Sequence, residues 1–159
     1  MVKYDAQVAV IGLGANGGQA LYQLAKRGIS AIGLEQYWAP NERSGHAGEH
    51  RVLHPLPFSP EGSPDHEILN DIMPAWKQFQ NETNSNIVLE HGVLLFGHEG
   101  DEEFEVIAQN ARNRDGHDRN VLSAETLRKQ YPLFRTPDDG LGVFDEQGGA
   151  VRSEMAVYA

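Results

Sequence analysis

The spacing of apolar residues changes along the chain, and each change marks an element. A short β-prone run at residues 6–11 leads into Gly12, Gly14 and Gly17. Ala20, Leu21, Leu24 and Ala25 then fall at helical spacing, and Gly28 supplies a helix stop. A second apolar run, residues 29–34, ends at Glu35. The order is strand, glycine turn, helix, strand. From Gln36 to Pro64 no period is sustained, and Pro40, Pro55, Pro57, Pro60 and Pro64 interrupt the segment. A connection of that length is uncommon inside a compact domain and is usually either functional or disordered.

Helical spacing returns at residues 65–82, where Ile68, Ile72, Ala75, Trp76 and Phe79 share one stripe. Pro74 within that stripe predicts a kink or a split. Residues 87–97 read as two strands divided at His91-Gly92, or as one bulged strand. Residues 101–114 read as a helix, with Asp101, Glu102 and Glu103 at its start and Arg112 and Arg114 at its end, as the helix dipole favours. Ser123 is an N-cap for a short helix that stops before Pro132, residues 141–145 form a strand, and residues 153–159 begin another helix.

These elements predict an α/β fold: a Rossmann-like βαβ unit, then the start of an α+β substrate domain with antiparallel strands. The expected divisions are 1–64 for the nucleotide-binding unit and its following loop, 65–150 for the substrate domain, and 151–159 for a helix that has only begun. A doubly wound sheet needs more than two parallel strands, so the sequence reads as an amino-terminal fragment.

The G-x-G-x-x-G spacing of Gly12, Gly14 and Gly17 is weak alone and gains weight from its strand–helix context. In a dinucleotide site the first glycine allows the tight turn, the second lets backbone approach a pyrophosphate, and the third lets helix and strand pack closely. Unpaired amides at the helix start face the phosphates, and an acid such as Glu35 accepts from ribose hydroxyls. The net charge of −10 argues against nucleic acid or an anionic membrane as the main partner. With no cysteine there is no disulfide, thiol nucleophile or cysteine metal site. No apolar run approaches the length of a membrane span, and the default is a soluble cytoplasmic protein. His46, His50 and His54 recur every fourth residue, but Gly45, Gly48 and Pro55 oppose a helix there, so no metal is assigned.

The sequence resembles the monomeric sarcosine oxidase and N-methyltryptophan oxidase group of flavin amine oxidases. The likeness rests on the glycine motif with residues 22–28 and Glu35; on residues 44–53, similar to the group's S-H-H-G-D-T-R-I-I-R; on residues 92–97; and on the stretch from Tyr131-Pro132 through Gly140 and Phe144 to Ser153-Glu154. It implies an FAD enzyme that removes a hydride equivalent from the carbon beside a secondary or tertiary amine, with oxygen as acceptor and hydrogen peroxide as product. Gly12, Gly14, Gly17 and Glu35, with Ala15 and Asn16 between the glycines, match the positions that bind the ADP half of FAD. Ser44 and His46 would lie beside the flavin, with Val52 also among the cofactor positions. Arg51 matches the arginine at the isoalloxazine ring, where a guanidinium stabilises negative charge on reduced flavin.

The departures carry information too. The arginine that pairs with the substrate carboxylate falls on His54, which cannot form the bidentate fork. The second histidine is Ala47, and the proline-rich 55–64 segment is about two residues longer. No cysteine can tether FAD, so covalent attachment is not assigned. Implied partners are a small amine and oxygen; the sequence sets no oligomeric state. Two other readings stay open: an NAD-dependent dehydrogenase, which the long glycine- and histidine-bearing loop after Glu35 disfavours, and a non-catalytic truncated remnant. Turnover is expected to need residues outside these 159.

Overall fold

The computed structural model describes residues 4–56, 58–60, 62–115 and 120–159. The chain divides into two compact units: residues 1–51, 83–87 and 151–159, and residues 52–82 and 88–150.

The first unit is built on β1 (Val8–Ile11), α1 (Ala15–Lys26) and β2 (Ala31–Leu34). β1 and β2 pair in parallel, in register from Val8 opposite Ala31 to Ile11 opposite Leu34. Parallel neighbours need a crossover, and α1 provides it. Its helical body ends at Arg27, and Gly28 takes φ +70°, the left-handed conformation that the sequence predicts for the stop. One sheet face carries Val10 and Gly33. A methyl group at Gly33 would lie 2.8–2.9 Å from the δ-carbons of Leu13 and Leu21, so the helix side chains reach the sheet only because no side chain stands there. Alternate residues point to the other face, where Ala9, Ile11, Ile32 and Leu34 are exposed. The same unit contains α5 (Ser153–Tyr158).

The chain passes between the units within β3 (His50–Leu53), in a segment whose sequence shows no strand period. Only Leu53 of that strand is buried, so there is no alternation to read. Pro64 is the first residue of α2 (Pro64–Thr83), a position where its missing N–H costs nothing and its fixed φ suits the helix. Of the kink or split expected at Pro74, the split does not occur: α2 runs through it as one helix. Along its stripe Ile72, Trp76 and Phe79 are half-buried beside buried Met73, while Ile68 and Ala75 are exposed. Pro57, one of the expected breakers, lies outside the described residues.

The second unit continues with β4 (Val88–Glu90), β5 (Val93–His98), α3 (Glu102–Asp115), β6 (Val121–Ser123), α4 (Ala124–Gln130) and β7 (Gly140–Asp145), and the chain returns to the first unit within β8 (Gly149–Arg152). Gly92 breaks β4 from β5 with φ +74°. β5, β7 and β6 form an antiparallel sheet with β7 in the middle, as the antiparallel expectation required. A second three-stranded sheet has the order β3-β8-β4. The core is Leu56, Phe104, Ile107, Ala108, Ala111, Leu141 and Val143, with Leu95 and Val121 packed against it. Ser123 caps α4 by accepting from the Thr126 amide at 3.3 Å. Beside the core, the fully buried carboxylate of Asp145 accepts from Arg114 at 2.9 Å and from the Gln147 amide at 3.1 Å.

Candidate functional site

At the carboxyl end of β1 the backbone turns sharply. Gly12 takes φ +86° and donates its N–H to the Leu34 carbonyl at 2.7 Å, which ties the turn to the end of β2. Gly14 is the N-cap of α1, which has no side-chain cap and no acid in its first turn. The positive end of the helix dipole is therefore not neutralised by an acid of its own helix.

The two later glycines differ in cause. A methyl group at Gly17 would overlap the Gly12 carbonyl oxygen and lie 2.9 Å from its carbon, so packing of α1 on the turn demands glycine. At Gly14 the nearest atoms would be His46 Nδ1 at 3.7 Å and Ser44 at 3.8 Å, ordinary contact distances, and φ is −71°. The chain itself has room for a side chain at Gly14. The glycine there leaves the helix start open.

Glu35 follows β2 directly. Its Oε2 accepts from the Leu13 amide at 2.8 Å and its Oε1 from the Tyr37 amide at 3.2 Å. The Leu13 bond, then the Tyr37 bond, hold its carboxyl below the usual carboxylate value, with smaller help from the Gln36 amide and the charge of His46; burial opposes them. Glu35 thus stays ionised at neutral pH and locks the glycine turn. A carboxylate oxygen has more than one acceptor site, so both remain able to accept from hydroxyl groups.

The loop after Glu35 is ordered by its own polar groups. Asn41 is buried; its amide donates to the Trp38 carbonyl at 3.0 Å, and its Oδ1 accepts from the Arg43 amide at 3.0 Å and the Ser44 hydroxyl at 3.1 Å. Arg43 donates to the Tyr37 hydroxyl at 2.7 Å and stacks over its ring. Arg51 donates to three carbonyls of its own loop, those of Ala47 (2.7 Å), His50 (2.8 Å) and Gly45 (3.1 Å). The start of α5 pins the same loop. Glu154 accepts from the Gly48 amide at 3.0 Å, Ser153 Oγ donates to the Gly48 carbonyl at 2.6 Å, and the Ser153 amide donates to the Glu49 carbonyl at 3.1 Å. Asn41 is missed by motif reading, and Ser153-Glu154, which enter the resemblance only as the end of a stretch, are given no role in the loop by it. Their signals are an Asx-type turn residue and a pairing more than a hundred residues away in sequence.

Gly12, Gly14, Ala15, Asn16, Gly17, Glu35, Ser44, His46 and Arg51 all fall in the first unit. Gly14, Ser44 and His46 meet at the start of α1. Val52 and His54 fall in the second unit, where Val52 is exposed. There His54 sets its Nδ1 3.3 Å from the Leu56 carbonyl, and its ring lies edge-on to Phe58 with centroids 4.5 Å apart. His50 sits in β3, its Nδ1 3.8 Å from the Glu49 carboxylate, rather than on a helix with His46 and His54. A cavity of about 460 Å³ in the second unit is lined by Phe58, Phe96, Phe104 and Ile107 with Asp101 and Glu103; it involves none of the candidate site residues.

Comparison with known proteins gives concordant results. Residues 7–159 match the family described as FAD dependent oxidoreductase, DAO. The chain is 25% identical over 158 residues to monomeric sarcosine oxidase from Arthrobacter sp. (strain TE1826), covering 99% of this chain and 40% of that protein. It is 28% identical over 151 residues to human peroxisomal sarcosine oxidase, covering 94% and 37%. With N-methyl-L-tryptophan oxidase of Yersinia pestis (strain Pestoides F) it shares 26% identity over 153 residues, covering 96% and 40%. Among solved structures, the open form of NikD, an unusual amino acid oxidase essential for nikkomycin biosynthesis, superposes with a TM-score of 0.77 at 19% identity, covering 98% of this chain and 40% of that one. Glycine oxidase from Bacillus cereus gives 0.68 at 22% identity, covering 98% and 42%. The chain spans about 40% of the length of the curated relatives it matches. Among the described residues no helix is long and apolar enough to cross a membrane. The family match covers nearly the whole chain and agrees with the glycine turn, Glu35 and the parallel strand pair: this chain belongs to the FAD-dependent oxidoreductase family.

Proposed function

We propose that this chain supplies the FAD-binding part of an amine oxidase acting on a secondary or tertiary amine of the N-methyl amino acid type, with oxygen as electron acceptor. The observation that carries the reading is the start of α1. There an uncapped helix end, a Gly14 that packing does not require, and a buried His46 without a polar partner for either ring nitrogen face one another. Such a cradle suits a dinucleotide pyrophosphate. When bound, FAD supplies the acceptor for the hydride equivalent removed from the carbon beside the amine nitrogen.

The chain's own residues would bind and orient. The amides of Ala15, Asn16 and Gly17 would face the phosphates, and Glu35 would accept from the adenosine ribose hydroxyls. Arg51 adds a permanent positive charge in a loop held by three carbonyls, so that charge needs no reorganisation to act on an electron-rich flavin ring. Ser44, beside the start of α1, would add a cofactor contact within the same unit. His54 stands where the resemblance expects a carboxylate-binding arginine. An imidazole lacks the bidentate fork of a guanidinium, which favours an amine substrate whose acid group is absent or held elsewhere.

The visible absorption spectrum of the purified protein tests this reading. Flavin bands that stay with the protein through gel filtration are expected, with or without prior incubation with FAD. Protein that elutes colourless after incubation with excess FAD would refute it.

A further inference from the structure

The loop that follows Glu35 has engaged most of its strong donors. Asn41 holds Trp38, Ser44 has given its hydroxyl proton to Asn41, Arg43 is on Tyr37, and Arg51 is spread over three carbonyls. His46 is the exception. It is 4% exposed, yet neither Nδ1 nor Nε2 has a hydrogen-bond partner. An imidazole carries at least one N–H in either protonation state, and burying it unbonded forfeits the hydrogen bond that water would give. A side chain in that position is held away from its best partner by the rest of the fold, or it is waiting for one.

The direction in which it waits is given by the glycine turn. Nδ1 lies 3.7 Å from the point where a Cβ of Gly14 would stand, so the ring borders the open space at the helix start rather than the interior of the sheet. Gly45 and Gly48 lie on either side, and the bonds of Gly48 to α5 and of Gly45 and Ala47 to Arg51 hold the backbone, so any reorientation is that of the imidazole itself.

We propose that His46 grips the dinucleotide pyrophosphate. When the ligand seats on the start of α1, the imidazole turns from its buried position and donates to a phosphate oxygen, adding a side-chain donor to the backbone amides. This rests on the reading that the site takes FAD, and deepens it by moving His46 from the flavin, where resemblance alone sets it, to the phosphates. Charge enters the argument from each neighbouring element. Glu35 lies beyond the turn, the α1 dipole is positive, and the guanidinium of Arg51 is fixed within the loop.

Calorimetric titration of the chain with FAD, ADP and adenosine tests the assignment. His46→Leu keeps much of the volume and removes the donor. It should weaken ADP and FAD by roughly tenfold or more, the usual worth of one hydrogen bond to a charged group, while adenosine binding stays unchanged. His46→Asn, whose amide nitrogen can stand near the place of Nδ1, should recover part of the loss. In the unmutated chain the ring-nitrogen resonances of His46 should move on adding ADP but not adenosine. Wild-type affinity for ADP in both variants, or an equal loss of ADP and adenosine in His46→Leu, overturns the phosphate role while leaving the FAD site in place. Unmutated protein that binds neither FAD nor ADP overturns both.

Discussion

The contrast between Gly14 and Gly17 separates what the fold needs from what the ligand needs, and it can be measured. In Gly17→Ala the new methyl group meets the Gly12 carbonyl, which is backbone and cannot swing away. Helix α1 must then move off the turn by about an ångström or more, at a cost near the upper end for overpacking, about 3 kcal/mol. For a small unit each kcal/mol lowers Tm by roughly 4–8 °C, so the transition of the first unit should fall by roughly 12 °C or more. In Gly14→Ala the methyl group meets His46 and Ser44 at 3.7–3.8 Å and the backbone is already in a region any residue adopts. The weaker N-cap costs no more than about 1 kcal/mol. The methyl group nevertheless fills the space through which a pyrophosphate approaches. Differential scanning calorimetry and FAD titration on both variants give the test. Gly14→Ala should melt no more than roughly 8 °C below wild type and bind FAD at least roughly tenfold more weakly, the scale set by one lost phosphate contact. Gly14→Ala with wild-type FAD affinity would falsify the cradle. Gly17→Ala with an unchanged Tm would refute the packing argument.

Three further expectations come from single interactions. Because the folded state holds the Glu35 carboxyl below its usual value, near 4.5, its contribution is present above that value and fades as pH falls through the lower, folded one. Glu35→Gln should therefore be less stable than wild type at pH 7, and the gap should narrow steadily as acid melts are taken below the usual carboxylate value; a gap that does not change with falling pH would count against the Leu13 bond as the cause. Arg114→Met strips the charged partner from the fully buried Asp145, which should cost about 3–5 kcal/mol in urea unfolding; a loss under about 1 kcal/mol would show that the pair is not paired in solution. Ser123→Ala removes the cap of α4 and should cost about 1 kcal/mol by the same measurement, with FAD affinity unchanged.

The glycine turn, α1 and Glu35 were legible because they are local. A turn that needs left-handed φ at Gly12, a helix with a glycine stop and a strand ending in an acid are each written within a few residues. The antiparallel sheet was legible in outline, since Val93, Leu94 and Leu95 and Leu141 to Asp145 carry their own apolar signal. β3, β6 and β8 were not. Residues 50–53 are mostly exposed, residues 121–123 are too few to show a period, and residues 149–152 begin with Gly-Ala. Their strand character comes from partners elsewhere in the chain. The split at Pro74, one of the two outcomes expected there, did not occur for a related reason. Propensity weighs a proline alone, whereas a helix of 20 residues has many other bonds and contacts to hold it. Within the site, Gly14 and Glu35 could be named from spacing. The setting of His46 could not, because it depends on how Asn41, Arg51, Ser153 and Glu154 fold one loop.

The most direct test of the central claim is a calorimetric competition on the purified chain: FAD titrated alone, then against saturating ADP, with NAD as the comparison ligand. If the start of α1 is the dinucleotide cradle of a flavin oxidase, FAD binds in one-to-one ratio, ADP displaces it, and NAD does not compete at equal concentration. Binding of NAD in preference to FAD, or FAD binding that ADP leaves untouched, would contradict the account.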